Sequence, residues 1–427
     1  MSRHVGGLGT GARPADVGAA GPLLHATTGI AEADRVLGGG LVPGGVTLLA
    51  GEPGIGKSTL VMQMLAGAAR GGGRGLLVTG EESLEQVGLR ARRLGVGDAG
   101  FTVAAMTDTA AIVAACGEHE PSLVVVDSIQ TVVSPEIPHV AGSLVQVRES
   151  AAALVRHAKA TGTAVVLIGH VTKDGGVAGP KTLEHIVDTI LTIEGDRSGT
   201  LRFLRSTKNR FGPCDETGVF TMTVRGLEAV GDPSAMLLAD RHPGARGSAV
   251  LAAMDGSRPL LVEIQALVAQ GTPQPRRVAI GVSAKRLAML LAILERAGID
   301  AGQKDVFVAA AGGVSITEPA ADLALCVALA SEVGERALDA GTVVVGEVGL
   351  GGEVRRVPHV KRRLSEAARM GFTRAIVPAG DDIDDSSLAI DHVRSVADAL
   401  RAALPGGAVV PGGGRARATL GELGAWS

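Results

Sequence analysis

Two consecutive α/β domains, the first built on a mostly parallel sheet with both faces covered, are the fold this sequence predicts. Three observations predict it. Five short apolar runs alternate, for the most part, with helix-period stretches between Leu23 and Val230. A glycine-rich phosphate-loop pattern, Gly51–Thr59, sits where the first of those runs gives way to a helix. A second alternation of strand and helix patterns begins after the Gly/Pro/Asp-punctuated stretch from Gly231 to Gly244. Apolar runs without polar alternation mark strands buried on both faces, as in parallel sheets covered by helices.

The elements follow in chain order. Residues 1–22 are Gly/Ala-rich and read as a flexible tail. The first domain, 23–231, takes its strands from Val46–Ala50, Gly75–Thr79, Leu123–Val126, Ala164–Ile168 and Ile190–Ile193. Residues 232–247 read as a linker, and 248–404 as the second domain. There the strands are Leu260–Ile264, Arg277–Val282, Val306–Ala310, Val343–Gly346 and Ala375–Val377. Helices are expected over Lys285–Ala297, near Ala320–Val333 and over Lys361–Met370, and 405–427 reads as a second tail. No internal repeat of fixed period is seen.

Composition removes several function classes. Of 427 residues only six are Phe and one is Trp, and Tyr is absent, so a Tyr nucleophile, an aromatic cage and a base-stacking platform are set aside. The net charge of −3 gives no global pull toward nucleic acid or membrane, and any DNA surface must be a local patch. Cys116, Cys214 and Cys326 are far apart and form no CxxC pair, which argues against a disulfide framework. With no apolar run of ~18–20 residues, the chain reads as soluble and cytoplasmic, without a membrane partner.

The phosphate-loop segment carries chemistry. Gly51-Glu52-Pro53-Gly54-Ile55-Gly56-Lys57-Ser58-Thr59 fits G-x-x-x-x-G-K-[ST]. Glycines let successive N–H groups converge on an anion, and the following helix N-terminus adds positive potential. In that frame the loop holds ATP, Lys57 reaches the β- and γ-phosphates, and Ser58 ligates Mg²⁺. The bland alternative is a glycine-rich turn that binds nothing. Asp127, ending the run Leu123–Val126, supplies the second carboxylate on the Mg²⁺ side. Glu81, after Gly75–Thr79, is placed to orient the attacking water. Glu81 and Glu82 could equally be acidic residues at a helix start near Ser83. His170, ending Ala164–Gly169, is either a γ-phosphate sensor in the same row or a structural histidine.

Taken together these segments resemble the RadA (Sms) family of bacterial DNA repair proteins, a RecA-like P-loop ATPase domain followed by a Lon-protease-like domain. The residues that carry the resemblance are Thr28–Ile30, Asp34–Leu41, the phosphate loop, Gly80–Ser83, Val126–Thr131, Gly169–Lys173 and the signature Lys208-Asn209-Arg210-Phe211-Gly212. Glu318–Ala324 and Gly346–Leu350 continue it in the second domain. The resemblance implies a homo-hexameric ring that uses ATP to move on single-stranded and branched DNA. It also implies branch migration alongside RecA, with a replicative helicase as a further partner. In such rings a neighbour's cations stabilise the transferring phosphoryl group, the role implied for Lys208 and Arg210. A solvated basic turn is the alternative for that segment. Arg148, Lys173 and Lys181 are the DNA-contact candidates, the two lysines lying in a glycine-rich stretch that otherwise reads as a connector.

The chain departs from the family pattern twice. Where Lon-type proteases carry the nucleophilic Ser of their Ser–Lys dyad this chain has Ala320, although Lys361 stands at the dyad-lysine place. Without the oxygen nucleophile the acyl transfer fails. The second domain is therefore expected to be a non-proteolytic scaffold with basic surface at Arg355, Arg356, Arg362 and Arg363. The four-cysteine zinc module usual in the family is also missing, since no cysteine precedes Cys116, and zinc is not expected in this chain. An ATP switch acting on protein partners and an ATP-dependent protease are the competing readings.

Overall fold

The computed structural model describes residues 25–170, 180–195, 201–271, 274–380 and 387–406. Residues 1–22 lie outside that set, as does 405–427 apart from Pro405 and Gly406. The chain divides after Val230 into two compact units.

Six strands of the first unit run parallel: β1 (Val46–Gly51), β2 (Gly75–Thr79), β3 (Thr102–Ala105), β4 (Leu123–Asp127), β5 (Ala164–His170) and β6 (Thr189–Glu194). Three more, β7 (Leu201–Asn209), β8 (Thr217–Thr223) and β9 (Gly226–Ala229), extend the sheet, with β7 antiparallel to β6 and β9 antiparallel to β8. The order is β3-β2-β4-β5-β1-β6-β7-β8-β9. All five strands expected from apolar runs are present. The edge strand β3 and the outer strands β7–β9 are the additions.

Side chains leave each strand to alternate faces, which explains the unbroken apolar runs. Leu49, Leu77, Val125, Ile168 and Leu191 pack with Leu60, Val61, Met64 and Leu65 of helix α2 (Lys57–Arg70); α1 is the short helix Ala31–Leu37. On the other face, Val46, Leu48, Leu76, Val78, Val124, Val126 and Leu167 pack with helix residues. These are Ile112 of α4 (Thr109–His119) and Val147, Ala151 and Leu154 of α5 (Leu144–Thr161); α3 is Leu84–Arg93. Each Val, Leu, Ile or Met side chain among them contributes ~1.5–3 kcal/mol on full burial. Because the helices return the chain to start the next parallel strand, all six carboxyl ends share one edge, the edge where α/β sheets bind ligands.

The amino end of β1 is fixed by a buried carboxylate. Asp188 accepts from the Val46 N–H at 3.1 Å and from Lys159 Nζ at 2.8 Å, and Arg210 donates to its other oxygen at 3.3 Å. Asp188 follows α6 (Pro180–Leu183) and leads into β6.

The second unit holds a mixed sheet. Its strands are β10 (Ser248–Asp255), β11 (Arg258–Ala269), β12 (Arg277–Ile280), β13 (Asp305–Ala310), β14 (Thr342–Val344), β17 (Arg374–Pro378) and β18 (Ala389–Val393). They lie in the order β12-β13-β11-β10-β14-β17-β18, and the two-residue strands β15 (Glu347–Val348) and β16 (Val354–Arg355) pair separately. Helices α8 (Ala284–Arg296), α9 (Asp322–Val333), α10 (Val360–Arg369) and α11 (Val396–Ala403) complete it, and α9 is buried from Asp322 to Ser331. The stretch 232–247 is not a bare linker. Pro233–Leu238 forms helix α7, capped by Asp232, with Leu237 buried and Ser234 bonded to Glu366 and to the Leu261 N–H. An Asp N-cap followed by Pro at the first helical position is a helix start, and here those residues served as one.

Candidate active site

Four neighbouring strand ends, those of β2, β4, β5 and β1, build the site. After β1 the chain turns through Gly54 (φ 79°) and Gly56 (φ 119°), a backbone region that favours glycine, and enters α2 at Lys57. A Cβ on Gly56 would also lie 2.7 Å from Met222. The Lys57 side chain is buried, and its ammonium donates to the carbonyls of Gly51 at 2.9 Å and Glu52 at 3.0 Å. Burial lowers its pKa, while Asp127 and Glu81 pull the other way. An ammonium held, among the described residues, by main-chain carbonyls, at the N-terminus of a helix and behind a glycine turn, fits a phosphate chain as its stronger partner.

Ser58, on the first turn of α2, has its hydroxyl beside the Asp127 carboxyl at the end of β4. Burial raises the Asp127 pKa, with the Glu81 and Glu82 charges adding to it against the nearby Ser58 hydroxyl. A hydroxyl and a carboxylate side by side next to the phosphate-loop lysine fit Mg²⁺ held between protein and phosphates. The Asp127–Ser128 peptide is cis.

Glu81 and Glu82 part company. Glu82 is engaged by Arg90 of α3, and its N–H bonds Thr79. The cap of α3 is Ser83, in a reciprocal box with Gln86, so neither glutamate serves as helix cap. Glu81 faces the site instead. Its Oε1 accepts from the Ser128 hydroxyl and stands 3.1 Å from His170 Nε2. Burial works to raise the Glu81 pKa. The Ser128 and His170 bonds outweigh it, and the carboxyl is held below the ordinary glutamate value. His170 thus lies in the expected row, bonded to Glu81, and its buried Nδ1 has no hydrogen-bond partner among the described residues. Ser128 was not among the candidate site residues; its signals in the sequence are its place in the segment Val126–Thr131 and a hydroxyl directly after the strand-end aspartate.

Beside the loop a cleft of about 360 Å³ is lined by Gly51, Glu52, Ile55 and the end of β6 from Thr192 to Gly195.

Lys208 and Arg210 do not join this cluster. β7 runs antiparallel to β6, so they lie toward the opposite, amino edge. Arg210 pairs with Asp188 beside Val46, five residues upstream of Gly51 and so about 16 Å away along the strand. Lys208 Nζ donates to the carbonyls of Glu184 (2.6 Å) and Val187 (2.7 Å). The rest of the signature is built into this edge. Asn209 ties the Leu37 carbonyl to Thr189, Lys159 lies over the Phe211 ring, and a Cβ on Gly212 would come 3.2 Å from Gly38. Arg148 is exposed on α5 and, among the described residues, pairs with Glu149. Lys173 and the side chain of Lys181 lie outside the described residues.

In the second unit Ala320 is buried in the single turn Pro319–Ala321, and Lys361 is exposed on α10. Arg355, Arg356 and Arg362 are exposed, but Arg363 is not surface. Its side chain is fully buried, forked onto Glu318, and bonded to the Ala252 and Pro358 carbonyls. Among the described residues no three His, Cys, Asp or Glu side chains converge as a metal site, and no helix is long and apolar enough to cross a membrane.

Comparison with known proteins agrees with this geometry. A family described as AAA domain matches residues 25–176, and one described as subunit ChlI of Mg-chelatase matches 276–381. DNA repair protein RadA of Pseudomonas aeruginosa is 49% identical over 381 residues, 88% of this chain and 84% of that protein. The RadA of Escherichia coli is 48% identical over 88% of this chain and 83% of its own length. That of Mycobacterium tuberculosis is 48% identical over 83% of this chain and 75% of its own. The likeness spans both units, and the chain belongs to the DNA repair protein RadA family.

Proposed function

We propose that this protein is a DNA-dependent ATPase of recombinational repair, a ring of identical subunits that drives branch migration of recombination intermediates alongside RecA. The observation that carries the reading is the row at the carboxyl edge. Lys57, Ser58, Asp127, Glu81 and His170 come from four adjacent strands and meet where the phosphate loop ends. In it Gly51–Thr59 cradles the phosphates of ATP, with ribose and base in the cleft at Thr192–Gly195. Ser58 and Asp127 hold Mg²⁺, which when bound draws charge from the β- and γ-phosphate oxygens. Glu81 orients and deprotonates the attacking water, and His170 senses the γ-phosphate.

Lys208 and Arg210 lie too far from the loop to act on their own subunit's nucleotide. In a ring, one subunit's amino-edge cations reach the neighbour's γ-phosphate and stabilise charge in the transition state. DNA is held mainly through phosphate contacts, with Arg148, Lys173 and Lys181 as candidates, because so few rings are present for stacking. The second unit is a non-proteolytic scaffold, a reading supported by Ala320 at the nucleophile place and by the exposure of Lys361.

The test is ATP turnover with and without single-stranded DNA, for wild type and Arg210→Lys, with light scattering for subunit number. The expected result is DNA stimulation of wild type. Arg210→Lys keeps the charge but loses the guanidinium fork, and should lose most of that stimulation. A rate indifferent to DNA would favour a switch acting on protein partners, and casein cleavage lost on mutation of Lys361 would restore the protease reading.

A further inference from the structure

The hydrogen bonds around Glu81 point to a role for a neighbouring residue not among the candidate site residues. Both of its donors, the Ser128 hydroxyl and His170 Nε2, address the same oxygen, Oε1. Oε2 makes no hydrogen bond among the described residues, and the side chain is 40% exposed. The carboxylate is therefore gripped by one oxygen and presents the other to solvent. A general base needs that arrangement: a fixed plane and a free lone pair directed at the water.

The two donors differ in permanence. His170 ends β5, and its role in the proposed mechanism is to meet the γ-phosphate. An imidazole Nε2 turned to phosphate no longer donates to Glu81. Ser128 has no such second duty. It is fully buried, its carbonyl accepts from the Thr131 hydroxyl at 2.8 Å and the Thr131 N–H at 3.2 Å, and the Gly80 N–H bonds the Asp127 carbonyl at 2.9 Å. The backbones on both sides of the Ser128–Glu81 bond are thereby tied together.

We propose that Ser128 is a positioning residue for hydrolysis, holding Oε1 of Glu81 so that Oε2 faces the attacking water when His170 is engaged with nucleotide. The proposal rests on the reading of Glu81 as the base. With little catalytic misplacement tolerated, losing the hydroxyl should cost turnover and leave nucleotide binding in place.

The experiment compares Ser128→Ala, Ser128→Cys and Glu81→Gln in the full chain, measuring kcat and KM for Mg²⁺-ATP with saturating single-stranded DNA. Binding of a fluorescent ATP analogue and thermal melting are read on the same preparations. Expected is a fall in kcat of ~10- to 100-fold for Ser128→Ala, with KM and analogue affinity within about twofold of wild type. Ser128→Cys, close in shape but a weak donor, should fall likewise, and it answers the question if the alanine variant does not fold. A kcat within about twofold of wild type in the serine variants, beside an inactive Glu81→Gln, overturns the role of Ser128 and leaves Glu81 as base. Loss of analogue binding in the serine variants also overturns it, since Ser128 then supports the nucleotide site itself. Near-normal turnover in Glu81→Gln overturns the reading of Glu81, and the proposal with it.

Discussion

Truncating Arg363 separates a structural cation from a surface one. The guanidinium makes four hydrogen bonds: to the Pro358 carbonyl (3.0 Å), the Ala252 carbonyl (2.7 Å) and both oxygens of Glu318 (2.9 and 2.6 Å). Arg363→Ala strands the Ala252 carbonyl and the Glu318 carboxylate, which keeps only the Met254 N–H among the contacts described here. Removing one partner of a buried ion pair costs ~3–5 kcal/mol. The Glu318 side chain is 20% exposed, so water recovers part of this and the lower end, ~3 kcal/mol, is expected. For a unit of this size that corresponds to a melting shift of about 6–12 °C. Calorimetry reads it, as a lowered transition of the second unit with that of the first unmoved. Arg363→Lys, keeping charge but losing the fork, should fall between the two. A shift below about 2 °C, with weakened DNA binding instead, would refute the assignment and return Arg363 to the solvated basic surface.

Two further outcomes follow from the amino edge. The Lys159 bond, the Val46 N–H and the charges of Lys159 and Arg210 hold the Asp188 pKa below the ordinary aspartate value despite burial, which alone would raise it. A depressed folded pKa gives stability that is fully present above the unfolded value of ~3.9 and is lost as pH falls through the folded one. The first unit of wild type should therefore lose melting temperature more steeply below about pH 4 than that of Asp188→Asn; parallel curves would contradict this. Lys208→Ala should keep folding and nucleotide binding but lose most DNA-stimulated turnover, as equilibrium binding and steady-state rates on one preparation would show. Full retained activity would remove its role.

Burial decides what was legible. β1, β2, β4, β5 and β6 are covered on both faces, so they read as unbroken apolar runs. β3 is half-exposed and four residues long, and β7 carries Arg202, Arg205 and Lys208, so neither has that signature. Lys57, Ser58 and Asp127 stood out because a phosphate-loop pattern and a strand-end aspartate fix residue type and spacing together. Ser128 did not, since its bond to Glu81 appears only when β4 and the turn after β2 are brought side by side. Arg363 was misread because an arginine on a basic helix looks solvated. Its spacing held the signal: with Val360, Leu364 and Ala367 it occupies one face of α10, the buried one. Asp232-Pro233 carried a helix start inside a stretch whose Gly and Pro content suggested a linker.

In the proposed ring the active site is shared between two subunits, the phosphate loop from one and Lys208 with Arg210 from the next. Mixing Lys57→Ala with Lys208→Ala subunits and measuring DNA-stimulated ATP hydrolysis tests it most directly. Each variant alone should be inactive. In a randomly mixed ring about a quarter of the interfaces join an intact loop to an intact Lys208, so roughly a quarter of the wild-type rate should return. No recovery in demonstrably mixed rings would contradict the account.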